Sequence, residues 1–407
     1  MRDLIIIGSG PAGLTAAITA AEHGLDILVI DEYLKPGGRL LGQLYEEPGG
    51  NWWNGIEESR KLAGRASSLG LDIRLGISVH NIEQIDGSWL VHADCETFET
   101  KSLLLATGAA EAPVAIPGWT LPGVMSVGAA QVMTNVHRVK PGQRGVIIGV
   151  NVLSSAIAME LKIADVEVAA IALPKTNQVN GKAANPSEVM NALLHVSHMA
   201  PSPLVKMGSK LMTNDFMKRM GITLYPKNGV RMWDIPVMLR KAVIRIEGTD
   251  QVEGVTLATV TAEGKIIPGT EEVIGCDFVC IAGGLYPLAE LAALTGCPFY
   301  HIDELGGFVP LHSEDMRTPL DGLYVAGNIT GIEGAKVAMS QGKTAALAIA
   351  KDHGQDIADT SLSEAVRQIS STRSDAHIQF HSEVEAGRRK LQEYWEQHAA
   401  GMRNVMV

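Results

Sequence analysis

A glycine-punctuated strand-to-helix turn opens the chain. Leu4-Ile5-Ile6-Ile7 runs into Gly8-Ser9-Gly10-Pro11-Ala12-Gly13 and then into small residues. Four consecutive apolar residues without polar alternation predict a strand buried on both faces of a parallel sheet. The chain must turn sharply at Gly8, present bare backbone to a pyrophosphate at Gly10, and pack the next helix closely at Gly13. That helix offers unpaired N–H groups and a positive dipole end to the phosphates. Leu14 to His23 is alanine-rich and helix-favouring, Gly24 ends it, and Leu25 to Ile30 predicts the second strand. Asp31 follows, where a carboxylate accepts hydrogen bonds from an adenosine ribose, with Glu32 beside it. Strand, triplet, helix, strand and acid in that order are far more specific than a glycine triplet alone.

The same layout recurs once, incompletely. Gly145-Val146-Ile147-Ile148-Gly149 repeats the strand and first glycine, but Asn151 and Ser154 stand where the second and third glycines belong. Val150 and Val152 crowd the approach, and a side chain at 151 stands between the backbone and an incoming pyrophosphate. The next apolar run, Val166 to Leu173, ends with neither an acid for a ribose hydroxyl nor an arginine for a 2′-phosphate. The expectation is a second lobe that keeps the dinucleotide-binding fold and has lost NAD(P)H binding; an atypical site there is the alternative.

Length and charge narrow the class. A chain of 407 residues suits two or three domains with sizeable cores, and 46% hydrophobic residues with 43 glycines suit a turn-rich α/β protein. A net charge of −11 without a long basic run argues against a nucleic-acid groove or an anionic membrane surface as the main partner. Only four apolar residues precede Gly8, so the N-terminus is the strand of the glycine motif rather than a secretion signal. No apolar run reaches the roughly 18 to 20 residues that span a bilayer. The expected location is the cytoplasm.

Four cysteines, Cys95, Cys276, Cys280 and Cys297, form no C-x-x-C pair and no two close pairs of the kind a zinc or iron–sulfur site requires. Cys276 and Cys280 lie four apart in an apolar strand, on one face but too distant to bridge, which predicts a buried structural role.

Other segments attach to the first turn. Pro36-Gly37-Gly38-Arg39 follows the acid as a loop able to lie over a bound pyrophosphate or flavin. Leu103-Leu104-Leu105-Ala106-Thr107-Gly108 predicts a short buried strand, and Gly322-Leu323-Tyr324-Val325-Ala326-Gly327-Asn328 another. Gly331-Ile332-Glu333-Gly334-Ala335 then leads into a helix from Lys336 to Ala350, whose dipole can aim at a ring that becomes anionic on reduction.

This set resembles the two-dinucleotide-binding flavoprotein superfamily of thioredoxin reductase and glutathione reductase over residues 1 to 350. The resemblance implies an α/β fold of two Rossmann-like lobes of the FAD/NAD(P)-linked reductase type, with a helical C-terminal tail. It places the FAD-binding domain at 1–112 and 285–350, a degenerate NAD(P)-binding-like domain at 113–284, and the tail at 351–407. The cofactor set it implies is Gly8, Gly10, Pro11, Ala12, Gly13, Asp31, Glu32, Gly38, Arg39, Val79, Ala106, Thr107, Gly108, Gly327, Asn328 and Ala335. Asn328 departs from the usual aspartate; it can still bond a ribityl hydroxyl, but without charge.

Gly118-Trp119-Thr120-Leu121-Pro122-Gly123-Val124-Met125, with Gly128-Ala129-Ala130-Gln131 after it, carries a narrower likeness. It resembles the flavin-binding subunits of heteromeric amine and amino-acid dehydrogenases: those of opine oxidase (its A type), dye-linked proline dehydrogenase (alpha), sarcosine oxidase (alpha) and cyanide-forming glycine dehydrogenase. An ordinary interdomain crossover is the alternative for this segment. The family likeness implies FAD in the first site, or another adenine nucleotide such as ATP or NAD, and a second flavin, FMN, at a subunit interface. It implies a catalytic flavoprotein partner of the amino-acid oxidase type, a small iron–sulfur subunit, and peripheral contact with the inner membrane through such partners. No residue stands out for substrate acid–base catalysis, which fits a partner that holds the substrate. Two rivals stay open: a self-sufficient NAD(P)H-dependent flavin reductase of the thioredoxin or ferredoxin reductase type, and a non-catalytic nucleotide-binding scaffold subunit.

The remaining segments are less specific. Lys175 to Pro186 predicts an exposed loop, and Val189 to Met199 a helix carrying His195 and His198, a solvated or core pair rather than metal ligands. Met199, Met207, Met212, Met217 and Met220 suit an adaptable surface or core filling. From Leu362 helical periodicity continues to Gln397, placing His377, His381 and Glu385 on one helix face, an exposed polar face with a metal set as the alternative, while Tyr394 and Trp395 suit docking on a core or partner. No cysteine follows Cys297, so an iron–sulfur centre would belong to another subunit.

Overall fold

The computed structural model describes residues 1–47, 49–94, 96–195, 215–376 and 379–405. The expectations for Cys95, His198, Met199, Met207, Met212 and His377, and for the side chains of His195 and Met217, lie outside the described residues. The chain forms two compact units: Met1–Gln43, Glu47–Ala110 and Leu285–Val407 make the first, Leu44–Glu46 and Glu111–Gly284 the second.

In chain order the elements used below are β1 (Arg2–Ile7), α1 (Pro11–Glu22), β2 (Ile27–Asp31), β3 (Asp72–Leu75), β4 (Val79–Ile85), β5 (Ser88–Ala93) and β6 (Glu96–Leu105). Then follow β7 (Arg144–Ile148), α2 (Val152–Ile163), β8 (Glu167–Pro174), β9 (Ile235–Glu247), β10 (Phe278–Ile281) and β11 (Leu323–Val325). Last come α3 (Ala335–Asp352), α4 (Asp359–Ser374) and α5 (Val384–Val405).

The first unit is built on a sheet of order β3-β2-β1-β6-β5-β4, with β11 also on β6. β1 runs parallel to both neighbours, Leu4 opposite Ile27 and Ile7 opposite Leu105. Leu4, Ile5 and Ile6 are fully buried, as a strand covered on both faces must be. β6 is long enough to use one edge twice. Its first half pairs antiparallel with β5, and Leu103 to Leu105 then pair parallel with β11. That places the C-terminal ends of β1, β2, β6 and β11 together, the end at which open α/β sheets take ligands.

Helices α1 and α3 pack through alanine: Ala16, Ala17, Ala20, Ala345, Ala346 and Ala348 are all fully buried in one cluster. A Cβ on Gly342 would come within 2.1 Å of the Ala12 carbonyl oxygen, so only glycine permits this approach. The tail is helical, as expected, and consists of two helices. α4 ends at Ser374 and α5 begins at Val384, so His381 precedes α5 and shares no helix face with Glu385. Tyr394 stacks on Tyr300 with centroids 4.3 Å apart, and Val384 and Leu391 join a cluster with Ile302, Leu305, Val309 and Leu311. The terminal aromatics therefore dock on the chain's own core.

The second unit has the strand order 124–126, β10, β7, β8, β9, 254–259, 272–275. β7 lies parallel between β10 and β8, and α2 follows it. The loop after β8 is exposed at 175–179 but tightens into Gly181–Ala184, with Asn180 and Ala184 buried. The next helix starts at Pro186, three residues before the expected Val189. Asn185 Oδ1 accepts the Ser187 N–H at 2.9 Å, and Pro186 needs no donor in a first turn. Cys276, Cys280 and Cys297 are free and buried. Burial pushes the Cys276 thiol up to about 11, the Cys297 thiol up to about 12 and the Cys280 thiol well above its ordinary value. No helix among the described residues is long and apolar enough to cross a membrane.

Candidate dinucleotide site

The first glycine turn is as tight as its sequence requires. Gly8 has φ +107, and a Cβ there would sit 2.3 Å from the Ala106 oxygen. A Cβ on Gly13 would sit 1.9 Å from the Gly8 oxygen, while one on Gly10 would meet nothing within 4 Å. Gly8 and Gly13 thus serve the fold, and Gly10 leaves open space over the helix start. Gly10 is also the N-cap of α1, no side chain caps it, and Pro11 occupies the first turn. The first N–H groups of α1 are therefore without a side-chain acceptor, as an anion site needs.

The loop after β2 closes on this turn. Gly37 donates its N–H to the Ser9 carbonyl at 2.8 Å, and Ser59 Oγ donates to the Pro36 carbonyl at 2.8 Å. Gly38, at φ +54, lies so near that a Cβ would be 3.2 Å from Gly10 Cα. Arg39 donates from Nε to the Ala109 carbonyl at 2.9 Å, tying the loop to the segment beyond β6.

Asp31 has a structural task. Its Oδ2 accepts the Ser9 N–H and hydroxyl, each at 2.6 Å, and its Oδ1 accepts the Tyr33 N–H at 2.8 Å. Glu32 is exposed and makes no such bond among the described residues. Ile77 donates its N–H to the Asp31 carbonyl at 3.1 Å, bringing the segment leading to Val79 beside the end of β2.

At the other edge, Ala106 donates its N–H to the Ile7 carbonyl at 2.8 Å and Ala326 to the Leu105 carbonyl at 3.1 Å. Thr107 Oγ1 donates to the Leu288 carbonyl at 2.6 Å, so its hydroxyl hydrogen is held by the protein. Gly108 takes φ +79. Gly327, at φ +81, approaches α1 so closely that its Cβ would lie 2.9 Å from Ala12 Cβ. Its N–H donates to Gln341 Oε1 at 2.8 Å. Asn328 Oδ1 accepts the Glu333 N–H at 3.2 Å, which leaves its amide nitrogen as the end without a protein partner among the described residues. Ala335 opens α3, whose N-cap Gly334 also lacks a side-chain cap. The sequence-expected residues thus gather around two uncapped helix starts, those of α1 and α3. Sequence reasoning does not single out Ser9, Leu288 or Gln341; a serine between two glycines hints at an acceptor nearby, whereas the other two give no local signal.

The second turn is built differently. Gly149 keeps φ +118, and a Cβ would meet the Ala282 oxygen at 2.0 Å. At the start of α2, Asn151 Oδ1 accepts the Ser154 N–H and Ser154 Oγ accepts the Asn151 N–H, both at 2.9 Å, a reciprocal capping box. Asn151 Nδ2 further donates to the Ala282 carbonyl at 2.9 Å, and Ser154 is fully buried. The Asn151 and Ser154 N–H groups are thus both taken by side chains of the helix itself.

The family model for pyridine nucleotide-disulphide oxidoreductases matches residues 2–342. The chain belongs to that family. As a pyridine nucleotide-disulphide oxidoreductase family member it is an oxidoreductase of the FAD/NAD(P)-linked fold. It is 31% identical over 366 residues to the A-type subunit of opine oxidase from Agrobacterium tumefaciens (strain Ach5), an alignment covering 86% of this chain and 65% of that one. The chain thus spans about two thirds of that relative's length. Among solved structures, the L-proline dehydrogenase from P. horikoshii superposes with a TM-score of 0.62 at 20% identity, covering 90% of this chain and 58% of that one. The T. acidophilum thioredoxin reductase gives 0.61 at 20% identity, covering 86% and 98%. These likenesses agree with the family read from the sequence, and among the described residues no cluster of three or more metal-ligating side chains forms.

Proposed function

We propose that this chain is the FAD-binding subunit of a heteromeric amine or amino-acid dehydrogenase or oxidase, passing electrons from C–N bond oxidation on a partner chain to an acceptor. The observation that carries this reading is the contrast between the two turns: open over Gly10 and uncapped in the first, closed by Asn151 and Ser154 in the second. A family member without a nicotinamide site in its second lobe needs another source of electrons. A relative named as one of the subunits of opine oxidase supports a source on a second chain. The buried cysteines, whose burial holds them as thiols, do not suit disulfide exchange.

The residues fit the cofactor at both ends. Gly10, Pro11, Ala12 and Gly13 would hold the pyrophosphate, Asp31, Glu32 and the Val79 backbone the adenosine, and Asn328 the ribityl chain through its free amide nitrogen. Gly38 and Arg39 would cover the site, and Ala106, Thr107, Gly108 and Gly327 would line it. Ala335 would bring the positive end of α3 to the isoalloxazine. FAD bound there would supply reversible two-electron chemistry. FMN at an interface, a catalytic partner of the amino-acid oxidase type and a small iron–sulfur partner complete the assembly. The domains would run 1–112 with 285–350, 113–284 and 351–407.

The test is an absorbance spectrum of the purified chain, followed by anaerobic NADH and NADPH. Flavin bands that neither nucleotide bleaches, with a flavoprotein partner recovered alongside from the native source, are expected. Rapid bleaching would overturn the claim for the second turn. The uncharged Asn328 favours a second reading, a scaffold holding an adenine nucleotide without flavin; a colourless chain that releases ATP or NAD on denaturation would establish it instead.

A further inference from the structure

We infer that the first unit carries a binding site for a small monocarboxylate between its terminal helices and α3, separate from the dinucleotide site. A cavity of about 70 Å³ lies there, its wall including His312, Gln341, Ile369, Arg373 and Arg388. In the same measure one water takes roughly 10–15 Å³, so the space suits an ion of acetate to pyruvate size.

The buried charge around it is unbalanced. Glu333 is buried between Arg373 and Arg388 and bonds both. Burial works to raise its carboxyl, but the two guanidiniums hold it below the ordinary range. Two buried cations thus share one buried anion. Glu314, the other acid on the wall, and Glu385, one turn before Arg388, are exposed and screened by solvent. His312 adds no charge: burial and the neighbouring Arg388 push its imidazole down to about 3, and Nδ1 bonds the Ser313 carbonyl at 2.8 Å.

Unpartnered atoms point the same way. Five buried side-chain polar atoms among the described residues lack a partner, and the two nitrogens, Gln341 Nε2 and Arg388 Nε, both belong to side chains that line this cavity. The Gln341 orientation is fixed, because its Oε1 accepts the Gly327 N–H at 2.8 Å. An orphaned buried donor is costly, and a carboxylate offers acceptors together with the missing charge. Charge selects among oxyanions: a monoanion balances the single excess cation, and a phosphate dianion overshoots it.

The ligand would also tie the tail to the cofactor lobe. Arg388 lies on α5 and donates to the Thr330 carbonyl at 2.8 Å, while Gln341 holds the Gly327 turn.

Isothermal titration of the whole purified chain with sodium acetate and sodium pyruvate, against sodium chloride and phosphate at matched ionic strength, tests this without turnover or a partner chain. Saturable carboxylate binding, at least ten-fold tighter than chloride or phosphate, is expected. Val366→Phe enlarges an uncharged side chain on the wall, and should weaken carboxylate binding at least ten-fold with an unchanged thermal midpoint in the absence of ligand. Arg388→Met should abolish binding. Tighter phosphate than carboxylate binding, no saturable binding, or undiminished binding by Val366→Phe would each overturn the assignment.

Discussion

Asn151 and Ser154 cap one another at the start of α2, each side chain accepting the other's backbone N–H at 2.9 Å. The two positions that depart from the glycine pattern are therefore one device, a reciprocal helix cap. Asn151→Ala removes half of it and should cost about 1 kcal/mol of stability. Denaturant unfolding should show the loss, with flavin absorbance per protein unchanged, since the first turn is untouched. A fall in flavin content without a stability change would contradict this division of labour.

Gly10 and Gly13 would separate the proposed ligand binding from the fold of the first turn. Gly10→Ala places a methyl in open space at φ −70, which alanine adopts freely, so stability should stay within about 0.5 kcal/mol while flavin retention falls at least ten-fold. Gly13→Ala drives a methyl to 1.9 Å from the Gly8 oxygen and should leave little soluble protein. Thermal unfolding and flavin-to-protein ratio measure both, and a Gly10→Ala protein with full flavin would argue against a pyrophosphate at this turn.

The fold is legible where the sequence repeats a local rule. Apolar runs buried on both faces announce β1, β2 and the ends of β6 and β11, and the glycine spacing announces the turn between β1 and α1. Less is legible where partners come from far along the chain. Leu288 receives the Thr107 hydroxyl and Gln341 receives the Gly327 N–H, and no local pattern marks either acceptor. The break between α4 and α5 escapes sequence reasoning because helical periodicity continues across it. The Pro186 start escapes a reading by apolar periodicity, although Asn185-Pro186 is a cap followed by a proline suited to a first turn.

In the proposed site Asp31 and Glu32 would divide a task that the glycine motif assigns chiefly to the first. Asp31 accepts three protein donors, so Asp31→Asn weakens charge-assisted bonds to Ser9 and should cost about 2 kcal/mol. Glu32→Gln, at an exposed side chain, should leave stability within about 0.5 kcal/mol but weaken binding of the adenosine half about ten-fold. Paired unfolding curves and titration with ADP distinguish the two; equal effects on both measurements would refute the separation.

Glu160, on α2, gives the second unit a pH dependence of definite sign. Its carboxylate accepts the Leu44 N–H at 3.2 Å and the amides of Gln131 and Asn135, each at 2.8 Å. Burial is nevertheless the larger influence and pushes the carboxyl up to about 7 from 4.5. Folded protein then keeps a proton that the unfolded chain releases near its ordinary carboxyl value. The stabilising protonated form is fully favoured below about pH 4.5, and its contribution is lost as pH rises through about 7. The loss amounts to about 3 kcal/mol. Glu160→Gln carries no such proton, so its stability relative to the native chain should rise between pH 5 and 8 and level off above. Urea unfolding of both proteins at half-unit steps across that range checks it, and a difference that stays flat or falls would mean Glu160 is ionised throughout.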